Sequence, residues 1–139
     1  MKSHVGFCIG ALAALLMLVA WLPVSAFSAE TGEIRFSPGA FAATVQGEVT
    51  NAIRTWQFRA RQGQGITVTL KREGGDRGTL TFTLYAYCGE EYGRPLMADA
   101  IRWKGELPCT DRYTLDVAPS TDYLQQARLQ RYALTLEIR

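Results

Sequence analysis

Histidine is almost absent from this chain of 139 residues, in which His4 is the only one. His4 also precedes a hydrophobic run typical of a removable leader, so we expect the mature protein to contain none. Without histidine a protein has no Ser-His-Asp or Cys-His catalytic system, no imidazole ligand for zinc and no default general base near neutral pH. The sequence therefore argues against an enzyme, and we expect no catalytic residue, no metal site and no cofactor.

Carboxylates offer the one remaining route to acid–base chemistry. Glu90 and Glu91 are adjacent in the sequence, so on an extended chain they face opposite ways. Asp76, Asp99 and Asp111 occur singly in polar, turn-like surroundings. These positions are typical of solvated surface or turn carboxylates, and a paired acid–base site or a calcium loop is the alternative.

Cysteine is scarce as well, with three in the whole chain: Cys8, Cys88 and Cys109. Cys8 lies in the hydrophobic run, which leaves two cysteines in the mature protein. Two cysteines in an oxidising compartment most simply form one disulfide, which here closes a loop of about 20 residues and stabilises the fold by about 3 kcal/mol. A metal site is the alternative, but two thiols need further ligands and none are spaced nearby.

An excess of one charge is also missing, because 15 basic residues stand against 13 acidic ones. Removal of Lys2 with the leader changes this to 14 against 13. Such a balance argues against nucleic-acid binding and against strong adhesion to acidic membranes. Only Lys71 and Lys104 are then lysines, and the arginines that remain suit bidentate contacts with carboxylates. A GC-rich genome explains the arginine content equally well.

The hydrophobic run Val5–Leu22 is typical of a secretory signal peptide. It ends at Pro23, and Val24–Ala26 supplies the small residues that a signal peptidase requires. We expect cleavage after Ala26, with Ser28 as the second choice, export to the periplasm and no stable membrane anchor afterwards. An uncleaved anchor is the alternative, because 18 apolar residues lie at the lower edge of a membrane span.

The rest of the chain alternates apolar and polar residues with a period of two, as half-buried strands do. The predicted strands are Ile34–Phe36, Ala43–Val49, Trp56–Ala60, Ile66–Leu70, Leu80–Tyr87, Ile101–Trp103, Tyr113–Val117 and Tyr132–Ile138. Residues 88–100 read as an irregular polar segment, and residues 118–130 as a loop or short helical turn.

About eight short strands separated by turn signals indicate an all-β fold, an antiparallel β-sandwich or jelly-roll. The length suits a leader over residues 1–26 and one β-sandwich domain over residues 27–139. The large aromatic residues that fall on the apolar faces are expected in the core: Trp56, Phe58, Phe82 and Trp103.

The segment Trp103–Val117, WKGELPCTDRYTLDV, is the most informative part of the chain. It predicts a strand, a proline turn, a tethering cysteine and a short polar loop before a strand that opens on Tyr113. A stiff loop of this kind either holds the fold together or enters another protein's cleft. Tyr113 itself has two interpretations: a contact residue, or a structural residue whose ring enters the core while its hydroxyl bonds nearby backbone.

Five blocks occur in order along the chain: GEIRFSPG, QGEV, WQFRARQGQGITVTL, the WKGELP–YTLDV segment and RYALTLEIR. Together they resemble the periplasmic inhibitors of g-type lysozyme, within the wider group of bacterial pre-peptidase C-terminal domains. The resemblance extends from about Gly32 to Arg139. It implies a β-sandwich that binds lysozyme as its partner and blocks the substrate cleft with a loop.

In the resembling family the inhibitory loop is a Ser-Gly-x-Tyr motif that follows Leu-Pro and one further residue. Here the matching positions are Thr110, Asp111, Arg112 and Tyr113. Thr110 keeps the hydroxyl of the serine and Tyr113 keeps the tyrosine. Asp111 departs from the glycine, because it adds a charge and adopts positive φ less readily.

Further contacts are expected from the neighbouring segments 90–94 and 122–131, with Tyr92, Arg94, Arg128 and Arg131 as the flanking residues. Arginines there, like Arg112, suit the acidic groups of a lysozyme cleft, and solvated surface is the alternative for each. A second hypothesis is a non-catalytic binding module of the pre-peptidase type, which recognises cell-wall glycan or an envelope protein.

Overall fold

The computed structural model describes residues 31–74, 80–120 and 129–139. The expected leader, Asp76 and Arg128 lie outside these residues. Within them the chain contains nine strands and no helix. The strands are β1 (Thr31–Glu33), β2 (Ala42–Val49), β3 (Arg54–Ala60), β4 (Gly65–Glu73), β5 (Leu80–Ala86), β6 (Arg94–Ala100), β7 (Arg102–Glu106), β8 (Asp111–Pro119) and β9 (Gln130–Ile138).

The strands form two sheets, which confirms the predicted all-β sandwich. The five-stranded sheet has the order β1-β3-β8-β5-β6, and the four-stranded sheet has the order β2-β9-β4-β7. The pairs are antiparallel except β1 with β3, which is parallel. Each central strand alternates buried and exposed side chains, so both sheets present one apolar face to a shared core.

The core contains the aromatic residues that the alternation predicted. Trp56, Phe58 and Phe82 are buried, and Trp103 is half-buried against the core cluster. Tyr113 and Tyr132 are fully buried as well. Both phenols need hydrogen-bond partners at this depth, and each has one.

Two predictions of secondary structure were wrong. Residues 88–100 are not irregular throughout, because β6 begins at Arg94 and pairs with β5. Its period is hidden by register shifts along this ladder and by Asp99, whose φ is +53°. The first strand covers Thr31–Glu33 instead of Ile34–Phe36. Ile34 follows this strand and is buried, and its N–H donates a hydrogen bond to the carbonyl of Gln57.

Candidate functional site

The register brings three chain segments together at one end of the sandwich. Ala60 ends β3 opposite Asp111, Ala86 ends β5 opposite Tyr113, and Gly65 opens β4 opposite Glu106. The connections between these strands therefore meet around Thr110. We call this surface the Thr110 end and define it as residues 61–64, 87–93 and 107–112.

Cys88 and Cys109 form the predicted disulfide, with their Cα atoms 5.5 Å apart. It joins the turn after β5 to the connection before β8. Cys88 and Gly89 both have positive φ, at 49° and 81°, and the N–H of Glu90 donates to the carbonyl of Tyr87 at 2.8 Å. These features are those of a type I′ turn, so the bridge is anchored in a tight turn instead of a long loop.

The Tyr113 side chain holds the same connection from the core side. Its ring is fully buried and stacks on Phe58, with the centroids 5.4 Å apart. Its hydroxyl donates to the carbonyl of Cys109 at 2.5 Å and accepts from the N–H of Cys109 at 3.2 Å. Burial raises the pKa of the Tyr113 phenol, so it remains a neutral donor. The structural interpretation of Tyr113 is therefore correct, and its ring is not available to a partner.

Leu107 and Thr110 attach the connection to the turn between β3 and β4. The carbonyl of buried Leu107 accepts from Gly63 N–H, and its own N–H donates to the carbonyl of Gln64, both at 2.9 Å. The hydroxyl oxygen of Thr110 accepts from Gln62 N–H at 2.9 Å. Thr110 remains exposed although its hydroxyl is bonded to this turn.

Asp111 belongs to β8, which begins two residues earlier than the predicted opening at Tyr113. Its carboxylate accepts from the N–H of Arg112 and from the N–H of Gly89, both at 2.7 Å. These backbone hydrogen bonds hold the pKa of the Asp111 carboxyl below its ordinary value. Asp111 is not among the residues with positive φ in the described ranges, so this position does not require the conformational freedom of glycine. The charge is directed at the protein's own backbone.

Arg112 lies on the outer face of the five-stranded sheet. Its guanidinium stacks over the ring of Tyr87, 4.4 Å from the centroid, and Arg59 lies directly opposite it on β3. Arg59 and Arg61 also line an open depression beside Thr110 and Asp111. Sequence reasoning missed these two arginines, because only the pairing of β3 with β8 brings them to Thr110. The strand alternation was the one signal that placed Arg59 on the polar face.

The flanking residues predicted from the sequence separate into two groups. Tyr92 is 78% exposed and lies with Arg94 beside the disulfide, where Arg94 pairs with Glu90 at 2.8 Å. Arg131 lies opposite Glu73 and Glu48, whereas Ile138 of the same strand lies near the Thr110 end.

Ile138 lies seven positions after Arg131 along β9, which corresponds to a distance of about 24 Å. Arg131 instead pairs with Glu48 at 2.9 Å. It is therefore not a flanking residue of the Thr110 end, and Arg128, directly before Leu129, lies outside the described ranges.

Within residues 31–74, 80–120 and 129–139, no group of three or more His, Cys, Asp or Glu side chains is placed to hold a metal ion. The same part of the chain has no helix long and apolar enough to cross a membrane. What the Thr110 end does offer is a rigid backbone with exposed polar and cationic side chains. It has the properties of a binding surface.

Comparison with solved structures places this sandwich beside a set of lysozyme inhibitors. The periplasmic inhibitor of g-type lysozyme from Aeromonas hydrophila aligns with a TM-score of 0.64 and 23% identity, over 78% of this chain and 96% of that one. The Salmonella Typhimurium inhibitor gives 0.63 and 20%, over 79% and 98%. A mutant of the Escherichia coli inhibitor gives 0.59 and 18%, over 78% and 97%.

The structural neighbours are thus the inhibitors that the sequence blocks resemble, and at these identities the likeness is one of fold. No protein-family model matches the chain, and no curated protein does.

Proposed function

We propose that this protein is an exported inhibitor of g-type lysozyme that inserts its Thr110 end into the substrate cleft of the enzyme. The observation that carries this proposal is the fixation of the Leu107–Arg112 connection. A disulfide, the Tyr113 hydroxyl and the turn at residues 61–64 each hold it from a different side. A loop ordered before binding loses little conformational entropy when it enters a cleft, so most of its contact energy contributes to affinity.

The charges at this end fit a cleft with acidic catalytic groups. Arg112, Arg59 and Arg61 lie around exposed Thr110. The one carboxylate inside the motif, Asp111, is turned toward the N–H groups of Gly89 and Arg112. An incoming carboxylate therefore meets guanidinium groups before it meets Asp111, which favours association.

The export expected from the sequence fits the same proposal. The mature segment carries a disulfide, which persists in oxidising compartments. The structural neighbours are themselves described as periplasmic. Signal-peptide cleavage after Ala26 would place this protein where a lysozyme that crosses the outer membrane is met.

The deciding experiment is a bacterial lysis assay with g-, c- and i-type lysozymes and the purified segment 27–139. We expect stoichiometric loss of g-type activity with little effect on the other two. Replacing Thr110 and Arg112 together by alanine should weaken inhibition at least about tenfold, since both side chains lie on the inserted surface. Arg131→Ala is the matched control, because it removes an exposed arginine from the opposite end.

Equal inhibition by the double variant and the wild type, at equal melting temperatures, would show that another surface binds lysozyme. No inhibition of any class, combined with retention on peptidoglycan that survives the double substitution, would favour the non-catalytic binding module.

Replacing Asp111 by glycine tests whether the departure from the family motif matters. Because the carboxylate already bonds backbone N–H groups of its own chain, restoring glycine should strengthen inhibition by no more than about twofold. It should also lower stability, since the Gly89 and Arg112 N–H groups lose their acceptor. A gain of tenfold or more would mean that the Asp111 charge opposes the partner.

A further inference from the structure

Arg59 and Arg112 form a pair of like charges across two neighbouring strands. They lie directly opposite each other in the β3–β8 ladder, so their Cβ atoms are about 5 Å apart. Phe58 and Tyr113, their neighbours along each strand, are buried in the core, which places both arginines on the outer face of the sheet. Two like charges at directly opposite positions destabilise a sheet. This pair is therefore favourable only with a counter-charge.

The nearby carboxylates are engaged elsewhere. Glu33 lies on β1, next to β3, and its Oε2 accepts two hydrogen bonds from Arg35, at 2.8 and 2.6 Å. Asp111 lies near both arginines, but its carboxylate is directed at two backbone N–H groups. Within the described ranges, neither the Arg59 nor the Arg112 guanidinium donates a hydrogen bond or forms an ion pair. Their N–H groups are therefore available to a ligand.

Both arginines line the same open depression, which has a volume of about 430 Å³. Thr31 and Glu33 of β1 and Gln57 of β3 also line it. The Arg112 guanidinium is held in place by the ring of Tyr87, 4.4 Å from the centroid. Because the N–H groups of a guanidinium lie in its own plane, stacking on a ring leaves them free for an acceptor. The depression thus presents pre-positioned donors and leaves room for the rest of a larger molecule.

We propose that Arg59 and Arg112 form a binding site for one oxyanion, a carboxylate or phosphate group held between the two guanidiniums. The negative charge offsets the repulsion between the arginines, and charge-assisted hydrogen bonds from planar guanidiniums match the geometry of either group. The oxyanion is either a free anion or a carboxylate on the surface of a protein partner. The site itself does not depend on the proposed function; only its use by lysozyme does.

Titration of the purified protein with inorganic phosphate tests the site without any lysozyme. At constant ionic strength, the arginine Nε–H resonances followed by NMR should report one site with a dissociation constant on the order of 1 mM. Arg59→Gln should weaken binding at least about tenfold, because one of the two guanidiniums is lost. Arg102→Gln is the matched control, since Arg102 is exposed on β7 of the other sheet, opposite Thr69, and binding should change by less than about twofold.

The stability of the unliganded protein is an independent test of the like-charge pair. Arg59→Glu places a carboxylate opposite Arg112, so the melting temperature in phosphate-free buffer should rise by about 1–5 °C while phosphate binding is abolished. Phosphate at constant ionic strength should raise the melting temperature of the wild type and leave that of Arg59→Glu unchanged. An arginine with a purely structural role would give a loss of stability on replacement instead.

The lysis assay identifies the source of the oxyanion. If a lysozyme carboxylate occupies the site, phosphate at constant ionic strength should weaken inhibition by the wild type and leave the residual inhibition by Arg59→Gln unchanged, with lysozyme alone as the reference. Inhibition by the wild type that is insensitive to phosphate would assign the site to a free anion.

The site and the proposed function can fail separately. Phosphate binding by a protein that inhibits no lysozyme would keep the site and reject the proposed function. No binding of phosphate by the wild type, equal phosphate affinity of Arg59→Gln and the wild type, or a fall in the melting temperature of Arg59→Glu would overturn the oxyanion site.

Discussion

The hydroxyl of Tyr113 donates a hydrogen bond to the carbonyl of Cys109, four residues earlier, at 2.5 Å. The same hydroxyl accepts from the N–H of Cys109, so one phenol satisfies both backbone groups of the residue that carries the disulfide. The tyrosine that sequence reasoning placed in the binding motif thus supports the motif from inside. In the same motif Thr110 is exposed, and Asp111 and Arg112 are half-buried.

Tyr113→Phe removes this support while it keeps the ring stacked on Phe58. We expect the free energy of unfolding to fall by about 1–2 kcal/mol, because both backbone groups of Cys109 lose a partner. Inhibition should weaken as well, since the connection is then less ordered before binding. Urea unfolding and the lysis assay measure the two effects.

Tyr132→Phe is the matched control, because the Tyr132 hydroxyl accepts from Nε1 of Trp56 at 2.8 Å and lies away from the Thr110 end. It should cost similar stability and leave inhibition intact. Equal inhibition by Tyr113→Phe and Tyr132→Phe would show that the order of the Leu107–Arg112 connection does not contribute to inhibition.

Replacing Cys88 and Cys109 by serine should lower the free energy of unfolding by about 3 kcal/mol, as expected for a closed loop of this length. The tie between the turn at 87–90 and the connection before β8 is lost, so inhibition should fall too. Chemical denaturation with and without a reductant is the measurement. The reductant should destabilise the wild type and have no effect on the double variant; a wild type insensitive to reduction would contradict the expectation.

Asp111 predicts a dependence of stability on pH. Its pKa in the folded protein is lowered from the ordinary value of 3.8 by backbone hydrogen bonds. A lowered carboxyl pKa stabilises the fold at pH values above the ordinary value, and this stabilisation is lost as pH falls through the lowered value. Asp111→Asn should therefore be less stable than the wild type at pH 7, and the difference should shrink below pH 3.8.

Urea midpoints measured across this range test the prediction. Glu91→Gln on the adjacent loop is the control for loss of an exposed carboxylate. If the difference in stability between Asp111→Asn and the wild type is constant with pH, the charge of the Asp111 carboxylate does not contribute to stability.

Gly47 lies opposite Tyr132 in the β2–β9 ladder, and its lack of a side chain is what gives the phenol room. A Cβ atom at this position would lie 2.4 Å from the Tyr132 hydroxyl oxygen. Gly47→Ala should lower the free energy of unfolding by about 1–3 kcal/mol through overpacking. Gly65→Ala is the control, because no atom lies within 4 Å of its Cβ position and its effect should stay within about 0.5 kcal/mol. Thermal or urea unfolding of the two variants is the test, and similar losses would contradict it.

Much of the fold was predictable because alternation with a period of two is a local property. β3, β4, β5 and β9 appear within a few residues of their predicted bounds. Prediction failed where local irregularity hides the period, as in β6 with its register shifts and the positive φ of Asp99. The disulfide was predictable from the count of cysteines, without any knowledge of distance.

The candidate site was only partly predictable, because no single segment of the sequence shows which residues strand pairing brings close together. Arg59 and Arg61 lie some 50 residues before Arg112 in the sequence and reach it through the pairing of β3 with β8. Arg131 appeared suitable because arginines of the segment 122–131 suit the acidic groups of a lysozyme cleft, but the direction of β9 places it at the opposite end.

The sequence by itself determined the all-β class, the aromatic core, the pair of cysteines and the order of motif residues, because composition and alternation follow from local chemistry. Only the tertiary structure decided what each motif residue does. Tyr113 enters the core because strand parity turns it inward, and Asp111 turns toward Gly89 because the disulfide brings that turn within hydrogen-bond distance. Thr110 is left at the exposed end, where the connection between the two sheets must pass.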